Sequence, residues 1–371
     1  MEQFYPALFY TLIGVTFVNV AFYVFYWLFA FAKASQKPNT SLPPVSVIIC
    51  AKNESQNLQK NVSVILEQDY PEFEIILIND ASSDDTEEVM EAYALAHKNV
   101  HQVNVVNNEA FWGNKKYALT LGIKRATHAH MVFTDADCVP ASPQWLRHMA
   151  GSFVAKKEIV LGYGAYQKIK GSFINKLIRF ETLMTAIQYF TYAKAGRPYM
   201  GVGRNLAYTA AMFYEQKGFI NHMKIKSGDD DLFVNQASTR KNTALQYHPE
   251  SFTISTPKTS FGAWITQKRR HITTASHYRF IEKFFLSLFY ASQLLFFIVA
   301  IVVLALMYRW EWVLAVVGVR YFIAWLAVGF SAGKLREKDV AYFYPIFEIV
   351  LVCVQLSIFI SNLISKPTKW K

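Results

Sequence analysis

The distribution of charge constrains this chain more than any other feature of its sequence. No Asp, Glu, Lys or Arg lies between Glu2 and Lys33, and Phe284 to Tyr308 is likewise free of charge. Trp312 to Gly333 carries only Arg320, and Tyr342 to Ser365 only Glu348. Each stretch is long enough to supply the roughly 20 apolar residues of a bilayer-crossing helix. Apolar residues make up 53% of the 371 residues, and the excess over a soluble chain sits in these stretches. The expectation is one span before a polar region and three after it. Ala30-Phe31-Ala32 resembles a signal cleavage site. However, Met1-Glu2-Gln3 has no basic residue and the apolar run exceeds a signal core, so an anchor is expected.

Basic residues near span ends face the cytoplasm. Lys33 and Lys37 follow the first stretch, and Lys268, Arg269, Arg270, Arg279 and Lys283 precede the second. The expected protein is therefore an integral, multi-pass component of the cell (inner) membrane with a cytoplasmic polar region. Four spans put Lys366, Lys369 and Lys371 on the opposite side, against that rule; a re-entrant late segment is the alternative. The net charge of +11 suits anionic lipid head groups or a phosphate-rich ligand. No nucleic-acid motif is present, so nucleic acid is not an expected partner. Cys50, Cys138 and Cys353 are too scattered for a disulfide framework or a zinc site, and the first two read as core residues.

Between the spans, short apolar runs alternate with helical patterns. Strands are expected at Val45–Ala51, Phe73–Asn79, Val100–Val106 and His130–Phe133. Helices are expected from Asn53, as cap, to Glu67, from Asp84 to His97 and from Asn114 to Thr127. Such alternation implies right-handed crossovers and a parallel sheet, whose ligands bind beyond the carboxyl ends of the strands. Asn53, Asp80 and Asp137 all fall there. Further on, Glu158–Tyr166 reads as a strand and Phe173–Ala193 as a helix. Asp229 opens a helix to about Ser238, and Trp264–Phe280 reads as a helix in the membrane interface.

Thr134-Asp135-Ala136-Asp137 closes the fourth apolar run. Residues two apart on a strand share a face, so Asp135 and Asp137 point the same way. Aspartates are also common in strand-end turns. Paired carboxylates repel unless a cation lies between them, and a divalent metal holding a diphosphate answers that need.

Seven motifs stand in order: Ala51-Lys52-Asn53-Glu54, Asn79-Asp80-Ala81-Ser82, Asn114-Lys115-Lys116, Asp135-Ala136-Asp137, Gly203-Arg204-Asn205-Leu206-Ala207, Gly228-Asp229-Asp230-Asp231-Leu232 and Gln267-Lys268-Arg269-Arg270-His271. Together they resemble a membrane-bound, inverting family-2 glycosyltransferase over about Pro44 to His271. That resemblance implies an α/β catalytic domain of the GT-A, Rossmann-like fold with a mainly parallel sheet, joined to α-helical transmembrane segments. It implies that Asn53, Glu54 and Asp80 hold the nucleobase and ribose. Asp137 would coordinate Mg2+ or Mn2+, and Asp135 would contact the ribose or a metal-bound water. Lys115 would support the diphosphate or the donor sugar, a solvated helix lysine being nearly as good a reading. Anchoring the acidic motif on Asp231-Leu232 makes Asp229 the general base. It also puts Gly228 where an acidic residue is common, so Asp230 remains the alternative. Gln267 and Arg270, three apart on a helix, would clamp the diphosphate. His271 stands where processive synthases carry Trp, which argues for transfer of single residues.

The domains expected are an anchor and linker (1–41), a catalytic domain (42–250), basic interface helices (251–283) and carboxyl-terminal spans (284–371). The expected activity moves a sugar from a nucleotide-diphosphate sugar, UDP-linked in the first instance, to a lipid-linked or growing glycan acceptor, with membrane lipids as further partners. A processive polysaccharide synthase and a polyprenyl-phosphate sugar transferase are the rivals of the same fold. A non-catalytic scaffold subunit and a transporter are rivals of other classes. Arg320 and Glu348 lie in adjacent spans, and an ion pair between them is expected on the rule that intramembrane charges seek partners.

Overall fold

The computed structural model describes residues 4–33, 42–106, 115–225 and 227–365. It divides into two units. One gathers Met1–Lys33, Lys176–Thr191 and Tyr278–Lys366; the other gathers Ala34–Asn175 and Tyr192–His277, with the last five residues.

The chain opens with α1 (Phe4–Ala30) and enters the second unit through β1 (Val45–Ala51), α2 (Ser55–Leu66), β2 (Phe73–Asn79), α3 (Thr86–Ala96), β3 (Val100–Asn104), α4 (Lys115–Arg125) and β4 (His130–Asp135). These strands pair in parallel in the order β3-β2-β1-β4. Val47, Ile49, Ile75, Leu77 and Val132 are buried in a core that Leu58, Val62, Ile65 and Met90 of the covering helices complete. Apolar side chains on both faces suit a strand covered by helices on both sides, and this makes β1, β2 and β4 legible as mainly apolar runs, while β3 (VHQVN) is more polar and half-buried. Register aligns Ala51 with Asn79 and Cys50 with Asp135, so three strands end at one level.

Past β4 the order becomes less regular. The chain continues through β5 (Cys138–Pro140), α5 (Trp145–Ala150), β6 (Ile159–Leu161), β7 (Gly164–Tyr166), α6 (Phe173–Lys194), β8 (Leu206–Thr209), α7 (Ala210–Glu215), α8 (Asp231–Ala237), β9 (Thr243–Leu245), β10 (Thr253–Ser255) and α9 (Phe261–Ile272). The main sheet is extended by β8, antiparallel to both β4 and β6, and by β9; β5, β10 and β7 form a second sheet. The single strand expected over Glu158–Tyr166 is therefore two strands in different sheets. The break falls at Gly162, where a Cβ would lie 2.6 Å from the Asn205 side chain, so the close approach of Asn205 requires glycine. The helix expected from Asn114 starts at Lys115 among the described residues, Asn114 itself lying outside them.

The segment read as an interface helix has other bounds: α9 ends at Ile272, Trp264 is 1% exposed, and Phe261 and Ile272 of the same helix are exposed. Residues 251–277 group with the sheet unit and not with the spans.

Among its described residues the other unit contains four helices long and apolar enough to cross a membrane: α1, α10 (Phe280–Ala305), α11 (Trp310–Lys334) and α13 (Tyr344–Ile364). The short α12 (Lys338–Ala341) links the last two. α13 is one continuous helix of 21 residues, which is spanning length. The tail lysines 366, 369 and 371, like Lys37, lie outside the described residues. Phe17, Ile301, Phe322 and Phe359 point outward, while the polar side chains turn in. Arg320 Nη1 and Nη2 reach Glu348 at 3.0 and 2.6 Å, and Arg320 Nε and Nη2 reach Asn19 Oδ1 at 3.0 and 2.8 Å. Tyr23 and Gln293 add bonds to Glu348 of 2.7 and 2.8 Å, so the network ties all four helices.

Candidate active site

The carboxyl ends of β1, β2 and β4 carry the polar residues singled out above. Asn53 and Ala81, just past the first two strands, adopt φ of 55° and 49°. Left-handed non-glycine residues cost free energy and gather where function fixes the backbone. Asn53 does not cap α2 as expected. Glu54 precedes that helix, and Asn53 Oδ1 accepts from Ser83 N at 2.8 Å, tying the two loops together. Asp80 is 4% exposed, and its Oδ2 has no hydrogen-bond partner among the described residues. Burial raises its carboxyl above the usual range. A buried acceptor without a donor is costly, and a ligand N–H or O–H relieves it.

β4 ends at Asp135, and Asp137 follows a turn rather than the strand's alternation. Their carboxylate oxygens and Cys138 Sγ nevertheless lie within 4.8 Å of one another. The two acids are pulled in opposite directions. Burial works to raise Asp135, but the Lys115 ammonium, by charge and by a 2.9 Å bond, outweighs it and holds the carboxyl low. Burial, then the charges of Asp135 and Glu54, push Asp137 up. Glu54 thus acts on the Asp137 side of the rim. Cys138 is buried in the core as expected, and its Sγ also lies 3.4 Å from Asp137 Oδ1 and 3.0 Å from Ser255 Oγ.

Lys115 spans the cleft from Asp135 to Asp229, whose Oδ2 is 3.1 Å from Nζ. The cleft between them is lined also by Cys50, Gly203 and Asp230. Gly228 has φ of 93°, and a Cβ there would come 2.5 Å from Leu232 Cδ1. An acidic residue at this position would be strained, which explains the departure from the family pattern. Asp230 caps α8: its Oδ1 accepts from Asp231 N and its Oδ2 from Gly203 N, each at 2.7 Å. Burial and the flanking charges of Asp229 and Asp231 raise its carboxyl to about 7. Asp231 accepts from Leu232 N and from the Thr274 hydroxyl, so it holds the helix start in place.

On α9, burial depresses the Arg270 guanidinium against the opposing charges of Asp229, Asp135 and Asp230, which places it in the field of the acidic rim. Gln267 lies one helical turn earlier on the same side. Two cations went unassigned in the sequence. Arg204 stacks over the Tyr166 ring at 4.2 Å and donates to Ser255 Oγ at 3.3 Å, and its charge acts on both Asp135 and Asp137. Lys116 is fully buried. Its position was readable, because Leu119 and Ile123 follow at the spacing of a buried helix face. A second acidic and imidazole cluster, His148, His248 and Glu250, lies elsewhere. There the imidazoles stack at 4.3 Å, Glu250 N donates to His248 Nδ1 at 3.4 Å, and His148 Nε2 lies 3.1 Å from Glu250 Oε2.

An open, doubly wound sheet whose carboxyl rim gathers aspartates facing lysine and arginine is the architecture of the GT-A fold, built to hold charged nucleotides at a strand-order switch. Residues 46–219, a little under half of the chain, match the family model described as glycosyl transferase family 2. The poly-beta-1,6-N-acetyl-D-glucosamine synthase of Staphylococcus epidermidis is 39% identical over 95 residues, 26% of this chain and 22% of that protein. The glycosyltransferase AglE of Haloferax volcanii is 31% identical over 109 residues, 29% of this chain and 34% of that one. The chain thus spans well under half the length of either relative. The mannosyltransferase PcManGT from Pyrobaculum calidifontis, solved with GDP-Man and Mn2+, is similar in fold. It has a TM-score of 0.62 and 17% identity, with 89% of this chain and 98% of that one covered.

Proposed function

We propose that this protein is an inverting glycosyltransferase of the membrane, with its catalytic domain on the cytoplasmic face. It takes a sugar from a nucleotide-diphosphate donor, UDP-linked in the first instance, and delivers it to a lipid-linked or growing glycan acceptor. The observation that carries this reading is the gathering of Asp135 and Asp229 around Lys115, with Asp137 beside Asp135 and a buried Asp80 oxygen that has no partner among the described residues.

Asp80, Asn53 and Glu54 receive the nucleoside. Asp137, with Asp135, offers the hard oxygen donors that Mg2+ or Mn2+ prefers, whereas the buried neutral thiol of Cys138 does not suit them. Such an ion, when bound, offsets charge that builds on the leaving diphosphate. Lys115 and Arg270 share that task, with Gln267 beside them. Asp229 takes the proton of the acceptor hydroxyl as its oxygen attacks the anomeric carbon and the bond to the diphosphate oxygen breaks. Asp229 suits this role better than Asp230, because backbone amides occupy both Asp230 oxygens.

Processive synthesis is the second reading, favoured by the likeness to a poly-N-acetylglucosamine synthase and disfavoured by His271. A panel of UDP- and GDP-sugars, each with and without Mn2+, tests the proposal through thermal stabilisation of the purified protein. The reading fails if no nucleotide sugar stabilises it in a metal-dependent way. Product length on a gel then separates single from repeated transfer.

A further inference from the structure

Two consecutive lysines on α4 face two different tasks. Successive helical residues point about 100° apart. Lys115 enters the cleft, while Lys116 turns into the protein and is 0% exposed. Its Nζ donates to the carbonyl oxygens of His222, Ile225 and Ser227 at 3.2, 2.6 and 2.6 Å. An ammonium has three donors, and here three carbonyls of one short segment receive them. That segment runs directly into Gly228, at φ 93°, and Asp229.

A buried ammonium is tolerated only where such bonds replace its water. The converse also holds, since without the ammonium the Ile225 and Ser227 carbonyls lose the donor they turn toward, and the His222 carbonyl keeps only its bond from Ile225 N. The segment therefore adopts this curve because Lys116 is inside it. We propose that Lys116 is a positioning residue, which sets the place of Asp229 by gathering the carbonyls of His222, Ile225 and Ser227 onto α4. The same helix presents Lys115 to Asp229 Oδ2 at 3.1 Å. One rigid element thereby fixes both the backbone leading to Asp229 and the cation facing its side chain. The charges of Asp229, Asp231 and Asp230 act in turn on Lys116, against the effect of its burial.

The inference rests on the reading of Asp229 as base, but its test begins independently of turnover. Hydrogen exchange of the full-length protein compares wild type with Lys116→Met, and with Lys116→Gln in case the first variant does not fold. Lys116→Met is expected to raise exchange in 222–230 by about tenfold or more while β1 and β4 stay protected. Lys116→Gln, which keeps two donors, is expected to fall between. With UDP and Mn2+ as probe, the nucleotide dissociation constant is expected to stay within about threefold, while turnover of the donor found above falls about tenfold or more. Unchanged exchange in 222–230 overturns the proposal. So does a loss of protection and nucleotide binding throughout, which marks a general packing role. If exchange responds in that segment but Asp229→Asn transfers sugar normally, the assignment of the base fails and the hold of Lys116 on the loop stands.

Discussion

Lys115 Nζ lies 3.1 Å from Oδ2 of Asp229, and it meets Asp135 on its other side at 2.9 Å. One ammonium thus serves as counter-ion to two carboxylates with different proposed duties. Replacing it leaves both acids in a partly buried, unbalanced field. Lys115→Met is expected to weaken binding of UDP with Mn2+ about tenfold or more, as the loss of a charge-assisted contact does. The variant also loses the charge that holds the Asp135 carboxyl low. Its nucleotide binding is therefore expected to fade at a higher pH than in wild type as the solution is acidified. Titration of binding from pH 5 to 8 checks both the size and the direction.

Asp137→Ala removes the acid proposed to hold the metal. In wild type, UDP at a hundred times its dissociation constant adds about 2.7 kcal/mol of stability. The variant is expected to lose the Mn2+-dependent part of that gain while its ligand-free melting temperature stays close to wild type. Scanning calorimetry with Mn2+ and with EDTA reads both.

Asp230 offers a stability test without any ligand. Its carboxyl is raised to about 7 in the folded protein, by burial first and then by Asp229 and Asp231. The folded state therefore binds the proton more tightly than the unfolded chain. The resulting stability is complete below the ordinary aspartate range and is lost as pH rises through about 7. Metal-free protein is expected to melt at lower temperature at pH 8 than at pH 5.5, with a flatter profile in Asp230→Asn. A wild-type melting temperature that rises across this interval would contradict the assignment.

Arg320 and Glu348 are expected to be strongly coupled. Removing either partner leaves a buried charge unpaired, at a cost of about 3–5 kcal/mol. Arg320→Ala and Glu348→Ala are each expected to lower folded yield and melting temperature in detergent. The double variant should recover part of the loss. Additive losses across the cycle would show that the contact carries no coupling.

The first half of the catalytic domain was legible because its strands are buried on both faces. Val45–Ala51 and Phe73–Asn79 are mainly apolar runs, and their bounds agree with the strands found. The second half was not. Glu158–Tyr166 is apolar after its first residue, yet the approach of Asn205 to Gly162 divides it between two sheets, a contact between residues far apart in sequence. The helix read over Trp264–Phe280 runs instead from Phe261 to Ile272, with Trp264 buried. Asn53 looked like a cap, and its side chain instead serves the neighbouring loop.

Apolar runs and their interruptions by charge depend on local composition, so the sequence alone determined the number of long apolar helices, the wound sheet and the rim at which its aspartates collect. It also supplied ordered motifs, several of them within residues 46–219, the stretch that matches the family-2 model. What each polar side chain touches depends on partners brought from elsewhere in the chain. Only the tertiary structure could give Lys115 to Asp135 and Asp229, bury Lys116 among three carbonyls and occupy both oxygens of Asp230 with backbone amides. Neighbouring residues of identical chemistry, two lysines at the start of α4 and three aspartates leading into α8, take different roles because the backbone turns each to a different environment.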